Sequence, residues 1–271
     1  MESKFQRETA VRRIDDGVFE GSVDSDWWIV FGPNGGTVAA MIMRALMEAV
    51  GDAERLPRSL TIHFTTAPEE GPIRIATRIE RAGRSLTTVT ARVEQDGRLV
   101  ALAVAAFSRA RRGGLDFAHI EMPDAPPPEQ LEQLPHSDGF PRFMHNWDFR
   151  RAAGAPLWSG ASESVVGGWA RLVDTQEWDY PLITQVSDAW FPAVFPMLRG
   201  PNPIPTVDLT IHFRAELPLD ALQPGDFALV RFVSRLSAHG FVEEDGEIWS
   251  RDGTLIAQSR QLALLQALSQ D

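Results

Sequence analysis

The chain contains an internal repeat, and this repeat most limits the folds that are open to it. Leu60–Phe64 and Leu209–Phe213 have the same sequence, Leu-Thr-Ile-His-Phe, 149 positions apart. A second pair of segments, Asp96–Ala101 and Asp252–Ala257, matches in residue type at an offset of 156. The two offsets differ by only 7, which one loop insertion explains. The 271 residues are therefore predicted to hold two copies of one unit.

In the first half, an amphipathic helix is predicted directly after the pair Gly35-Gly36. Apolar residues recur from Val38 to Ala49 at the spacing of one helix face, and the pattern ends near Gly51. Strand patterns follow over residues 60–65, 73–79, 86–94 and 99–106. An Asp96-Gly97 turn predicts that the last two strands form a hairpin.

The second half repeats this order in a shorter form. Apolar spacing from Leu182 to Trp190 predicts a helix, which Pro192 and Pro196 limit. A glycine pair, Gly167-Gly168, is a loose counterpart of the pair that precedes the first helix. Strand patterns follow over residues 209–213, 227–233, 241–249 and 255–264.

A proline-rich stretch lies between the halves. It has four prolines among acidic residues between Pro123 and Pro128, a composition typical of an extended surface linker and unsuited to a sheet interior. The predicted organisation is an N-terminal repeat over residues 1–112, a linker over 113–142 and a C-terminal repeat over 143–271.

One helix followed by a run of antiparallel strands, occurring twice, predicts an α+β fold in which each sheet wraps a helix and buries its apolar face. This is the arrangement of the hot-dog fold. Hot-dog units usually pair as dimers, so a duplicated chain supplies both members and forms a double hot-dog. Fused pairs often associate further through sheet faces or edges, which leaves a homo-oligomer of double hot-dogs open.

Composition excludes several classes of function. The chain has no cysteine, which rules out disulfides, a thiol nucleophile and a cysteine-ligated metal site. Its net charge of −11 repels nucleic acid phosphates and anionic lipid. The first thirty residues have no apolar run of signal-peptide length, and nowhere do eighteen apolar residues follow one another. We therefore expect a soluble cytoplasmic protein without nucleic acid or membrane partners.

Familiar catalytic motifs are also missing from the sequence. It has no G-x-S-x-G nucleophile elbow and no phosphate-binding glycine loop. The six histidines are scattered without an H-x-x-x-H pair, so we expect neither a metal nor a cofactor. What remains is chemistry performed by polar side chains without a covalent nucleophile.

Seven short motifs occur in order along nearly the whole chain. They are Asn34-Gly35-Gly36, Gly83-Arg84-Ser85, Asp96-Gly97, Ser187-Asp188, Pro205–Asp208, Gly240–Val242 and Asp252–Gln261. Each motif is weak alone, but together they resemble the acyl-CoA thioesterase II family, the duplicated hot-dog thioesterases. The resemblance implies hydrolysis of an acyl-CoA to a carboxylic acid and CoA.

The resemblance also implies a catalytic trio from the second repeat. The aspartate falls on Asp188 in the second helix, the hydroxyl on Thr206 just before a strand, and the amide on Gln261 in the last strand. Thioester hydrolysis needs a water aimed at the carbonyl carbon. Asp188 would accept a hydrogen bond from that water, while Thr206 and Gln261 would fix it in place.

The start of the first helix is the predicted substrate site. It comprises Asn34, Gly35 and Gly36, because glycines let a ligand approach the backbone and the helix end carries partial positive charge. Backbone N–H groups there would suit the thioester oxygen.

The repeat offsets indicate one active site per chain. They place apolar residues in the first repeat at the positions of the trio, namely Ala39, Pro57 and Ala105. The first repeat is therefore expected to serve as scaffold and as a wall of the acyl pocket.

Other interpretations stay open at this point. The main alternative is a non-hydrolytic acyl-CoA or lipid binding protein with the same fold. A hot-dog hydratase or dehydratase would want a histidine and aspartate pair, which the sequence does not reveal. The structural alternatives are that Asp188 is a solvated helix acid, that Thr206 only begins a strand and that Gln261 only borders the other repeat.

Overall fold

The structure, a computed structural model, describes residues 2–30, 32–111, 113–136 and 139–265. The helices are α1 (Lys4–Glu8), α2 (Gly35–Val50) and α3 (Tyr180–Val186). The strands of the first half are β1 (Arg12–Asp15), β2 (Val18–Val23), β3 (Leu56–Phe64), β4 (Gly71–Ala82), β5 (Leu86–Gln95) and β6 (Arg98–Ser108). Those of the second half are β7 (Trp147–Ala153), β8 (Val165–Leu172), β9 (Thr206–Phe213), β10 (Ala228–Val233), β11 (Ser237–Ala238), β12 (Phe241–Trp249) and β13 (Leu255–Leu264).

All of these strands belong to one antiparallel sheet. Their order is β1-β2-β4-β5-β6-β3-β9-β13-β12-β10-β8-β7, with β11 paired to β12. The first half of the chain thus forms one side of the sheet and the second half forms the other, and β3 and β9 meet in the middle. The predicted α+β class is confirmed.

The repeated pentapeptides lie side by side at the centre of this sheet. Leu60 is opposite Ile211, Thr61 is opposite Thr210, and Ile62 is opposite Leu209. The hydroxyl oxygens of Thr61 and Thr210 lie 3.1 Å apart. Thr61 pairs with its own counterpart, while Leu60 pairs with the counterpart of Ile62 and Ile62 with the counterpart of Leu60. This reciprocal pairing relates the two strands by an approximate two-fold axis that passes between the threonines.

The core forms on the face of the sheet that α2 covers. This helix contacts β2, β3, β4, β5 and also α3. It ends as predicted at Gly51, which adopts a left-handed conformation with φ of 60°. One continuous hydrophobic cluster includes buried residues of both halves, so the two repeats share a core.

Several elements of the structure are not predicted by the sequence patterns, among them α1, the β1–β2 pair and the β7–β8 pair. The loose glycine match was wrong, because Gly167 and Gly168 lie within β8 and do not precede a helix. They permit close strand contact: a Cβ at Gly168 would lie 2.0 Å from the carbonyl oxygen of Arg150. The domain boundaries stay predictions, and Arg112 at the first of them is outside the described residues.

Within the described ranges, every helix is too short or too polar to cross a membrane.

A truncation at the centre of the sheet tests the shared core. Ile62 is fully buried in β3, so Ile62→Ala is expected to lower the free energy of unfolding by about 2–5 kcal/mol. Urea unfolding should show one cooperative transition in the parent and in the variant. The control is Val104→Ala, which shortens a side chain that is 49% exposed and should change stability by less than about 1 kcal/mol. Two separate transitions would contradict a shared core.

Candidate active site

The start of α2 packs against the end of α3. Asn34 caps α2, since its side-chain oxygen accepts a hydrogen bond from the Thr37 backbone N–H at 3.2 Å. A Cβ at Gly36 would lie 2.5 Å from the carbonyl oxygen of Gln185. The chain therefore needs glycine at this position, because the backbones of the two helices touch.

Asp188 lies at this junction, two residues beyond the end of α3. The apolar pattern predicts a longer helix that includes Asp188, but α3 ends at Val186 with Ser187 as its C-cap. Although part of the surface of Asp188 is accessible, its carboxyl group lies inside the protein. The alternative of a solvated helix acid is therefore wrong.

The carboxylate of Asp188 takes hydrogen bonds from the other repeat. Its Oδ2 atom accepts from the backbone N–H of Gly36 at 2.9 Å and from the Asn34 side chain at 3.2 Å. The Asn34 amide also donates to the backbone carbonyl of Asp188 at 2.7 Å. The Gly36 N–H, expected to face a thioester oxygen, is thus directed at Asp188, and Asn34 orients the same residue.

Burial raises the pKa of the Asp188 carboxyl to about 7, although the hydrogen bonds from Gly36 and Asn34 act in the opposite direction. A carboxyl with a pKa in this range can take up a proton near neutral pH. That property suits a general base.

Thr206 and Gln261, the other two predicted residues, are in direct contact. Thr206 is the first residue of β9, and Gln261 lies on β13, which pairs with β9. The hydroxyl of Thr206 donates to the Oε1 atom of Gln261 at 3.2 Å. Both side chains are half-buried.

Glu244 of β12, which is not among the predicted site residues, is in contact with Gln261. Its Oε1 atom accepts a hydrogen bond from Gln261 Nε2 at 2.6 Å, and its Oε2 atom accepts one from the backbone N–H of Ala193. Glu244 is only 8% exposed. One signal was available: along β12, Glu244 shares a strand face with Val242 and Ile248, and an acid on an apolar face is unusual.

Glu244 also connects the Thr206–Gln261 pair to Asp188. Burial raises the pKa of Glu244 to about 7, and the nearby charges of Asp188 and Glu243 add to the rise. The hydrogen bonds from Ala193 and Gln261 act against it. The site thus brings two buried carboxyls within electrostatic reach of each other, with an amide and a hydroxyl attached to one of them.

One group of acids in the described chain has its oxygens close enough for a metal ion, and it lies elsewhere. Glu8, Asp24 and Asp26 place these oxygens within 4.8 Å of one another. Each already has a protein partner: Trp27 Nε1 bonds Glu8 at 2.7 Å, Lys4 Nζ bonds Asp26 at 2.6 Å, and Asp24 caps a short turn. We assign no metal to it.

Comparison with known proteins identifies the family. The model for the acyl-CoA thioesterase N-terminal domain matches residues 23–108, and the model for the acyl-CoA thioesterase C-terminal domain matches residues 123–265. The chain belongs to the acyl-CoA thioesterase family. The resemblance stated from the sequence motifs is confirmed.

Individual relatives of this acyl-CoA thioesterase family member match along almost their full lengths. An uncharacterized protein of Mycobacterium tuberculosis is 25% identical, with 98% of this chain and all of the relative covered. A hot-dog protein of unknown function from Alicyclobacillus acidocaldarius has a TM-score of 0.88 at 28% identity, covering 97% of this chain and 98% of that chain.

A further relative supports the fold alone. An acyl-CoA thioesterase II from Mycobacterium marinum has a TM-score of 0.79 at 22% identity, covering 98% of this chain and 99% of that chain. The predicted double hot-dog fold is confirmed.

The raised pKa of Asp188 predicts a dependence of stability on pH. Because this pKa lies above its ordinary value near 3.8, the folded protein holds the proton more tightly than the unfolded chain. The stabilisation is complete below about pH 4 and is lost as pH rises through about 7. Asp188→Asn should therefore flatten the fall in unfolding free energy between pH 5 and pH 8, as measured by urea unfolding.

The control for this measurement is Asp220→Asn, which changes an exposed carboxyl outside the site. It should keep the pH dependence of the parent. An Asp188→Asn variant with the same dependence as the parent would contradict the burial of this carboxyl.

Proposed function

We propose that this chain hydrolyses acyl-CoA thioesters to a carboxylic acid and CoA, using a water directed by Asp188, Thr206 and Gln261. The observation that carries the proposal is the placement of polar groups in an acyl-CoA thioesterase family member, where Thr206 is hydrogen-bonded to Gln261 and the Asp188 carboxylate is held by Gly36 of the first repeat. The two matching family models, both of acyl-CoA thioesterase domains, support the choice of substrate class.

Asp188 acts as the base in the proposed reaction. Its Oδ2 atom is held by the two donors from α2, so we assign its other oxygen, Oδ1, to the water. As the water oxygen attacks the thioester carbonyl carbon, Asp188 takes the released proton. The tetrahedral intermediate then collapses, the carbon–sulfur bond breaks, and the CoA thiolate takes up the proton held by Asp188, which regenerates the base.

Thr206 and Gln261 orient the attacking water. The Thr206 hydroxyl donates a hydrogen bond to Gln261. The lone pairs of the Thr206 oxygen can then accept a hydrogen bond from the water. One N–H of the Gln261 amide donates a hydrogen bond to Glu244, and the second N–H can donate to the reacting oxygens. Holding the water in one orientation lowers the entropy cost of the attack.

The first repeat contributes to the site without a second trio. It supplies the Gly36 and Asn34 donors that hold Asp188. The counterparts of Thr206 and Gln261 by the repeat offsets are Pro57 and Ala105, which cannot orient a water through their side chains. We therefore infer one working site per chain.

Replacing the base tests the reaction. Asp188→Asn removes the proton acceptor and keeps the side-chain shape, so kcat is expected to fall by about 10²- to 10⁴-fold with a small change in KM. Thiol release from acyl-CoAs of short, medium and long chain gives the measurement, with Asp220→Asn as the control. A parent protein that binds acyl-CoA but releases no thiol would contradict hydrolysis and favour the binding-protein alternative.

A pair of variants at Thr206 tests the orientation of the water. Thr206→Val keeps the shape but lacks the hydroxyl, so kcat is expected to fall by about 100-fold. Thr206→Ser keeps the hydroxyl and should retain most of the activity. Similar rates for the two variants would show that the hydroxyl has no part in the reaction.

A further inference from the structure

Glu244 has contacts that the trio alone does not explain. This acid of β12 bonds the Gln261 amide through one oxygen and the Ala193 backbone through the other, and it is 8% exposed. Burying an acid costs folding free energy unless its charge is neutralised or matched by donors. A fold built for stability alone would place an apolar residue here.

The first repeat has such an apolar residue. Across the strand pairs, Glu244 is opposite Gln261, and Val89 is opposite Ala105. Because Ala105 and Gln261 match at the repeat offset, Val89 is the counterpart of Glu244. Val89 is fully buried, which shows that the fold accommodates valine at this position. The acid is therefore a feature of the repeat that holds the candidate site.

The two ends of the Gln261 amide are chemically different, since Nε2 only donates hydrogen bonds and Oε1 only accepts them. An ionised Glu244 only accepts, so it holds Nε2 towards itself and turns Oε1 towards Thr206. The Thr206 hydroxyl must then donate to Oε1. A reversed amide would make Thr206 the acceptor and would direct its proton elsewhere.

We propose that Glu244 is a positioning residue of the hydrolytic site, which fixes the end of the Gln261 amide that faces Thr206. This inference rests on the proposed function. It assigns Glu244 no contact with the substrate, because its effect passes through Gln261 to Thr206 and from there to the water.

Glu244→Gln is the first test. The fixed N–H of Ala193 keeps the one carbonyl oxygen of the new side chain, so its amide N–H faces Gln261 and the Gln261 amide reverses. We expect kcat to fall by about 100-fold and KM to change by less than about twofold. The control is Glu247→Gln on the opposite face of β12, where the side chain pairs with Arg231 at 3.2 Å.

Glu244→Val separates positioning from folding. This variant has valine at position 244, as the first repeat has Val89 at the matching position. We therefore expect a folded protein with a cooperative unfolding transition and a kcat that is again about 100-fold lower. If Glu244 only supported folding, activity would follow the folded fraction in both variants. An unchanged kcat in Glu244→Gln would overturn the proposal.

A spectroscopic measurement does not depend on turnover. In protein labelled with nitrogen-15, the side-chain amide resonance of Gln261 should shift with pH as Glu244 titrates, and this shift should vanish in Glu244→Gln. A parent resonance that does not respond to pH would overturn the proposal. If the parent releases no thiol yet the resonance titrates, the proposed function fails while the link between Glu244 and Gln261 stands.

Discussion

Strands β3 and β9 pair in antiparallel register about Thr61 and Thr210, and the arrangement of the rest of the molecule depends on this pairing. It joins two half-sheets into one and relates the two strands by an approximate two-fold axis. The helix of the first repeat, α2, then lies against the helix of the second repeat, α3. The contact between Asp188 and Gly36 across 152 positions follows from that packing.

The two buried carboxyls act against the stability of the fold. Burial raises the pKa values of both Asp188 and Glu244, so each is held where its charged form is disfavoured. Backbone N–H groups of Gly36 and Ala193 offset part of this cost, because a charge-assisted hydrogen bond is stronger than a neutral one. At the strand position that matches Glu244, the first repeat has the buried apolar residue Val89.

Elements with strong periodicity were predictable from the sequence. The α2 pattern ended at the correct residue, and β12 and β13 have the predicted bounds. Elements without a one-sided pattern were missed: every residue of β1 is exposed, and β8 is buried on both faces, so neither alternates. The second helix was predicted too long because apolar residues continue beyond Val186 into the irregular loop that holds Asp188.

The sequence by itself determined the duplication, the α+β class and the family resemblance, because these depend on local patterns and on identities that repeat along the chain. The trio of Asp188, Thr206 and Gln261 came with that resemblance and stays a prediction. Only the tertiary structure decided that Gly36 donates to Asp188 and that Glu244 bonds Gln261. These contacts join residues far apart in the chain, and no local pattern encodes them. The raised pKa values have the same origin, since burial is a property of the packed molecule and not of any segment.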